Sequence, residues 1–143
     1  MTLDIEKIHS KFQDITESLT RLERFRGLPL EAFLGDQDKL DVASFRLIVA
    51  TEAALDICFH LVANLLNKVP EEYAGCFKLL GDAGLIDATL ALKLSQMARF
   101  RNLLVHHYWK VEYVRLYELI AGSDLEDLRE FMRQTGTLLK KYA

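Results

Sequence analysis

Proline is nearly missing from this chain. Among 143 residues it occurs only at Pro29 and Pro70, and glycine occurs seven times. So few breakers leave few tight turns, which disfavours many short strands and favours long helices. Cysteine is as scarce: Cys58 and Cys76 lie in apolar surroundings with no CxxC spacing. That excludes a disulfide framework and a cysteine zinc site, and reads as two reduced core thiols. No apolar run approaches the ~20 residues needed to cross a bilayer. The start, Met1-Thr2-Leu3-Asp4-Ile5-Glu6-Lys7, lacks the basic residues and apolar run of a secretory signal. A cytoplasmic location without membrane contact is the expectation. A basic excess is missing too: 18 Lys and Arg stand against 21 Asp and Glu, for a net charge of −3. Any contact with RNA must therefore be local, or come from a surface built by two chains.

Half of the residues are hydrophobic, enough for one real core at this length, so residues 1–143 are expected to form a single domain. From Leu3 to Arg26, Ile5, Ile8, Phe12, Ile15, Leu19, Leu22 and Phe25 recur at threes and fours, the stripe of an amphipathic helix. Gly27 and Pro29 break it, and Gly27 to Asp38 reads as a connector. A second helix is expected from about Asp38 to Lys68, apolar on most sides and so widely buried. Pro70 restarts the chain, and a short helix follows over Glu71 to Leu80. Gly81-Asp82-Ala83-Gly84 reads as a turn. Asp87 suits the cap of a helix running to Arg101 or beyond. The last helix begins near Ser123-Asp124, where Glu126 has the spacing of a capping box. The expectation is all-α: an antiparallel bundle of four to five helices.

One segment concentrates polar chemistry: Arg101-Asn102-Leu103-Leu104-Val105-His106-His107-Tyr108. On a helix Asn102 and His106, four apart, share a face. Arg101 and Tyr108, two turns apart, share another, about 100° away, provided that the helix continues to Tyr108. Arginine presents a planar fork that suits a phosphate. Histidine can give or take a proton near neutral pH. Asparagine can orient an imidazole, and tyrosine can donate a hydrogen bond or stack on a base. No cage of acidic residues surrounds the segment, so no metal is expected there. The set suits metal-independent cleavage of RNA by its own 2′-hydroxyl. Spacing alone favours a plainer reading, a helix end with a surface arginine and capping histidines.

The segment resembles the RN-x-x-V-H-x-Y signature of HepT-like HEPN ribonuclease toxins. Ala50-Thr51-Glu52-Ala53-Ala54-Leu55-Asp56-Ile57 is similar to that family's second-helix segment. Phe77 to Asp87 is similar to its F-x-x-L-x-x-A-G-x-I turn, and Phe100 and the stretch Asp124 to Leu128 also fit, in order, along nearly the whole chain. The resemblance implies a helical HEPN homodimer with its active clefts at the dimer interface. It implies a metal-independent endoribonuclease toxin of a type VII toxin–antitoxin module, acting on tRNA or mRNA without a cofactor. It also implies a partner, a minimal nucleotidyltransferase antitoxin of the MntA type, which attaches AMP to Tyr108. Carried over, Arg101 binds phosphate, His106 is the general acid and base, and Asn102 supports the cleft. Glu52 or Asp56 would orient the cleft from the facing helix, although a solvated acidic edge or an ion pair with Arg99 or Arg101 fits as well. His107 is expected to be an exposed bystander, His60 a satisfied core or interface histidine, and Trp109 a packing residue at the domain edge or dimer interface. Tyr113 and Tyr117 are read as packing residues. The alternative to an enzyme is a non-catalytic binding partner of a nucleotidyltransferase. A structural dimer without any site is the third reading, against which the completeness of the motif stands.

Overall fold

The first helix begins at a carboxylate. In a computed structural model, which describes residues 3–142, Asp4 accepts a hydrogen bond from the Lys7 amide at 3.0 Å and so caps α1 (Ile5–Glu23). The Asp4 amide itself donates to Nε2 of His60 at 3.0 Å. Ile8, Ile15, Leu19 and Leu22 are buried, and this stripe packs chiefly against α3 (Gln37–Leu61). Between the two lies the expected connector, and it is more ordered than a connector. It contains one short helix, α2 (Leu30–Leu34), entered through Pro29. Its Phe33 is fully buried, with ring centroids 5.7 Å from Phe25 and 5.6 Å from Tyr117. Tyr117 donates its hydroxyl to the Leu28 carbonyl at 2.6 Å, which pins the connector under α6 (Tyr113–Ala121). Tyr117 and Tyr113 both pack on the core, as expected.

α3 is the central helix. Asp36 caps it by accepting from the amides of Asp38 and Lys39. Its buried residues lie on most sides, among them Leu47, Ala50, Ala54, Leu55, Ile57 and Leu61. It stops short of the expected Lys68: a single π-type turn, Val62–Leu66, follows, and Asn67 at φ 53° ends it. α4 (Tyr73–Asp82) runs two residues past the expected end and absorbs Gly81 and Asp82 from the predicted turn. Gly81 is helical because the crossing needs it small. A Cβ there would sit 2.7 Å from the Cβ of Ala91 on α5 (Ala88–His106). The turn itself is shorter, with Gly84 at φ 73°.

Asp87 caps α5 as expected, accepting from the Leu90 amide at 3.0 Å. Ser95 of α5 donates to the Ala74 carbonyl at 2.9 Å and fastens the first turn of α4 beside α5. α7 (Asp124–Tyr142) closes the bundle. At its start the Glu126 amide donates to the Ser123 carbonyl, while the Glu126 carboxylate takes Arg129. Arg129 also reaches Glu23, linking α7 to α1. Five longer helices and two short ones make an all-α bundle around one core, and no strand occurs among the described residues. Cys58 on α3 and Cys76 on α4 are free and buried, and burial pushes the Cys58 thiol up, so it stays protonated. No helix of the described residues is long and apolar enough to cross a membrane.

Candidate active site

The last turns of α5, the middle of α3 and the first turn of α4 meet around one guanidinium. Arg101 is buried, at 7% exposure, an unusual place for a permanent charge. Such a charge must be paired. Its Nη2 donates to the Glu52 carboxylate of α3. Its Nη1 donates to Oδ1 of Asn102 at 2.8 Å. Its plane lies over the ring of Tyr73, 5.1 Å from the centroid, an arrangement that attracts a cation to the ring face. Its Nε is buried with no hydrogen-bond partner. The pair straddles the surface, because the Glu52 side chain is 46% exposed while that of Arg101 is 8% exposed. The carboxylate is the wet end of the contact.

Asn102 spends its carbonyl oxygen on Arg101, which leaves its amide N–H groups to donate outwards. His106 is one turn further on, exposed, at the C-terminal end of α5. The helix stops there. His107 leaves helical geometry at φ −138° and ψ 42°, its amide still bonded to the Leu103 carbonyl at 2.9 Å. Tyr108 therefore sits in a separate 3₁₀ turn, Tyr108–Lys110, not on the face that Arg101 would give it on a continuous helix. It is 67% exposed, and Trp109 is 65% exposed. The ring of Trp109 meets Tyr108 edge-on at 5.3 Å and His107 at 5.4 Å. His107 is exposed as expected, while Trp109 packs on its neighbours in sequence within this chain.

The structure thus brings Glu52, Arg101 and Asn102 into one cluster, with His106 a turn away and Tyr108 on the adjoining turn. It does not bring Asp56 to them. That carboxylate pairs with Lys11 of α1 at 3.0 Å, and the bond raises the Lys11 pKa. His60 is satisfied structurally: it receives the Asp4 amide, and burial, followed by the nearby Lys7, lowers its pKa. Tyr73 is the residue that spacing missed. It lies on a different helix from the motif and reaches Arg101 only through the α4–α5 packing. No group of three or more His, Cys, Asp or Glu side chains converges among the described residues.

A model of the ribonuclease HepT-like family matches residues 15–135. A protein of Archaeoglobus fulgidus named as a candidate RNase is 29% identical over 140 residues, covering 95% of this chain and 96% of its own. The tRNA nuclease HepT of Aphanizomenon flos-aquae is 24% identical over 132 residues, covering 92% of this chain and 89% of its own. In three dimensions the chain resembles a tri-AMPylated Shewanella oneidensis HEPN toxin solved in complex with its MNT antitoxin. There the TM-score is 0.84 at 24% identity, over 92% of this chain and 97% of that one.

Proposed function

The chain belongs to the ribonuclease HepT-like family, and from that premise we propose that it is a metal-independent endoribonuclease toxin of a type VII toxin–antitoxin module. The observation that carries the reading is the cluster of Glu52, Arg101 and Asn102, which ends at the exposed His106. In the proposed reaction the ribose 2′-oxygen attacks the adjacent phosphorus. The bond from phosphorus to the 5′-oxygen breaks, leaving a 2′,3′-cyclic phosphate and a 5′-hydroxyl. One imidazole must take the 2′-hydroxyl proton while another group gives a proton to the departing oxygen. Each chain supplies one His106 to the motif, so a homodimer offers both. Arg101 supplies fixed positive charge for the developing phosphorane, and Asn102 offers donors to its oxygens.

A face of α3 supports the homodimer. Val42 is 47% exposed and Phe45 56% exposed, and with Val49 and Glu52 they lie at three- and four-residue spacing. An apolar stripe that ends at Glu52 suits a second copy of the chain, and it would place two sites together. Tyr108, exposed and off the helix, suits modification with AMP by an MntA-type nucleotidyltransferase; the Shewanella toxin is tri-AMPylated and in complex with an MNT antitoxin. The adduct would add negative charge and bulk where an RNA phosphate must enter. The proposed target is tRNA, as in the Aphanizomenon relative, and the proposed location is the cytoplasm.

One observation favours the second reading, a non-catalytic partner of a nucleotidyltransferase: Glu52 and Asn102 already occupy two nitrogens of the Arg101 fork. The purified chain separates the two. Incubated with tRNA in EDTA, a ribonuclease yields fragments ending in 2′,3′-cyclic phosphate, and none from Arg101→Ala or His106→Ala. Intact tRNA with all three proteins, at equal purity and folding, supports the binding partner instead.

A further inference from the structure

On α5, Gln96, Arg99, Leu103 and His106 recur at three- and four-residue spacing. At about 100° per residue Gln96, Arg99 and Leu103 lie on the far side of the helix from Arg101, while His106 lies between them and the face of Asn102. Next to this stripe is an open groove of about 570 Å³. Phe100 and Leu103 supply its apolar lining, and Gln96 lies at one edge. Its charged lining is Arg99 from α5, Lys110 at the end of the 3₁₀ turn, Glu112 just after it, and Arg115 from α6. Three cations therefore face one carboxylate, on a chain whose net charge is −3.

Several cations on this surface find acids: Arg21 has Glu17, Lys78 has Asp82, and Arg133 has Glu130. Around the groove they do not. Arg99 and Lys110 have no ion pair among the described residues, and Arg115 has only a 3.9 Å contact with the exposed Glu118. A local excess of unpaired cations beside an apolar floor suits a nucleotide chain, which alternates phosphates with apolar faces of sugar and base. A folded acidic protein would meet the charge, but would make no use of the position of His106 one turn beyond Leu103 on the same helix.

We propose that this groove is the track for the RNA strand adjoining the bond that is cut, an inference that rests on the ribonuclease reading. Arg99, Lys110 and Arg115 hold successive phosphates of that strand, and Leu103 with the edge of Phe100 receives a base or ribose. The groove supplies the local basic surface that the acidic whole lacks. His106 lies one turn beyond Leu103, the last α5 residue that lines the groove. The cations act on binding and not on bond breaking, so they belong to KM rather than to kcat.

The test uses the full chain and a fluorescein-labelled, single-stranded RNA of mixed sequence. Binding is measured over a range of salt in a His106→Ala background, and cleavage kinetics in the active chain. Removing one cation that holds a phosphate should flatten the salt dependence by about 0.7 in the log–log slope. Arg99→Gln with Lys110→Gln is expected to flatten it by about 1.4, and to raise KM several-fold with kcat nearly unchanged. Arg115→Gln, on another helix, is expected to flatten it by about 0.7 by itself. Lys140→Gln with Lys141→Gln makes the same charge change at the end of α7 and should leave slope and KM alone. Circular dichroism melts show whether these exposed substitutions keep the fold. An unchanged slope and KM in the groove variants overturns the proposal, as does an equal effect of the α7 pair. Loss of nucleotidyltransferase binding with RNA binding intact overturns it in favour of protein docking. If the unaltered chain neither binds nor cuts any RNA, the ribonuclease reading itself fails, and the track with it.

Discussion

Burying a guanidinium is costly unless it is met, and Arg101 is met at two of its three nitrogens, by a carboxylate and an amide, and on its face by a phenol ring, while its Nε has no partner. If Glu52 positions Arg101 for the reaction, Glu52→Ala leaves a buried charge without its main acceptor. The expected cost is about 1–3 kcal/mol of stability, with a larger fall in kcat than rise in KM. Glu52→Gln keeps an acceptor oxygen and should recover most of kcat. If the two variants reduced only stability, with kcat intact, Glu52 would be a packing partner and nothing more. His60 carries a prediction about pH. Its folded pKa is depressed below the usual 6.5, so the fold favours the neutral ring that accepts the Asp4 amide. Its contribution is complete above that value and is lost as pH falls through the depressed one. Urea denaturation should show stability falling as the pH drops below about 6.5, and His60→Gln should flatten that stretch of the curve. A wild-type curve already flat there would contradict the assignment. At this scale the sequence is informative where neighbours are close in the chain. The contact of Arg101 with Asn102 needs only adjacency, and the reach of Glu52 follows from an acidic residue on an apolar helix. Tyr73 is illegible because its contact depends on which helix packs beside which, and Asp56 goes to Lys11 because α1 passes on its side.

Elements are well marked where caps and periodicity agree, as in α1 and α5, with Asp4 and Asp87 at their starts. Ends are harder. The motif looks like one helical stretch, yet α5 stops at His106, and the chain turns before Tyr108 with no glycine or proline to announce it. The connector is misread for a related reason. A five-residue helix shows too little periodicity to be seen, although Phe33 at its heart is fully buried. Phe33→Ala is expected to cost about 3–5 kcal/mol, a drop visible in a thermal melt. Gly81 tests the other misplaced boundary. The sequence favours a turn there because glycine is a poor helix former, but the close approach of Ala91 demands the missing side chain. Gly81→Val should cost about 1–3 kcal/mol by overpacking. Because α4 carries Tyr73, it should also reduce activity beyond what the lower stability explains. A variant as stable as the parent would mean that the crossing has more room than the 2.7 Å approach allows.

At the scale of the whole molecule, scarcity of proline and glycine correctly points to a helical bundle, since one core of long helices needs few turns. What the sequence cannot carry is the arrangement of surface charge, because a net charge of −3 is an average. Folding gathers Arg99, Lys110 and Arg115 from three successive elements onto one groove and leaves them largely without acids. The apolar stripe through Val42 and Phe45 predicts a homodimer, and analytical ultracentrifugation should find about twice the mass of one chain. Phe45→Glu, an exposed position, should return it to a monomer that keeps its helical signal. The central claim, that this chain cuts RNA through Arg101 and His106, meets its most direct test in cells. The chain is induced alone, beside Arg101→Ala and His106→Ala, and RNA from each culture is run on a gel. The account predicts growth arrest and new RNA fragments with the unaltered chain only. Equal growth and intact RNA in all three cultures, at equal soluble expression, would contradict it.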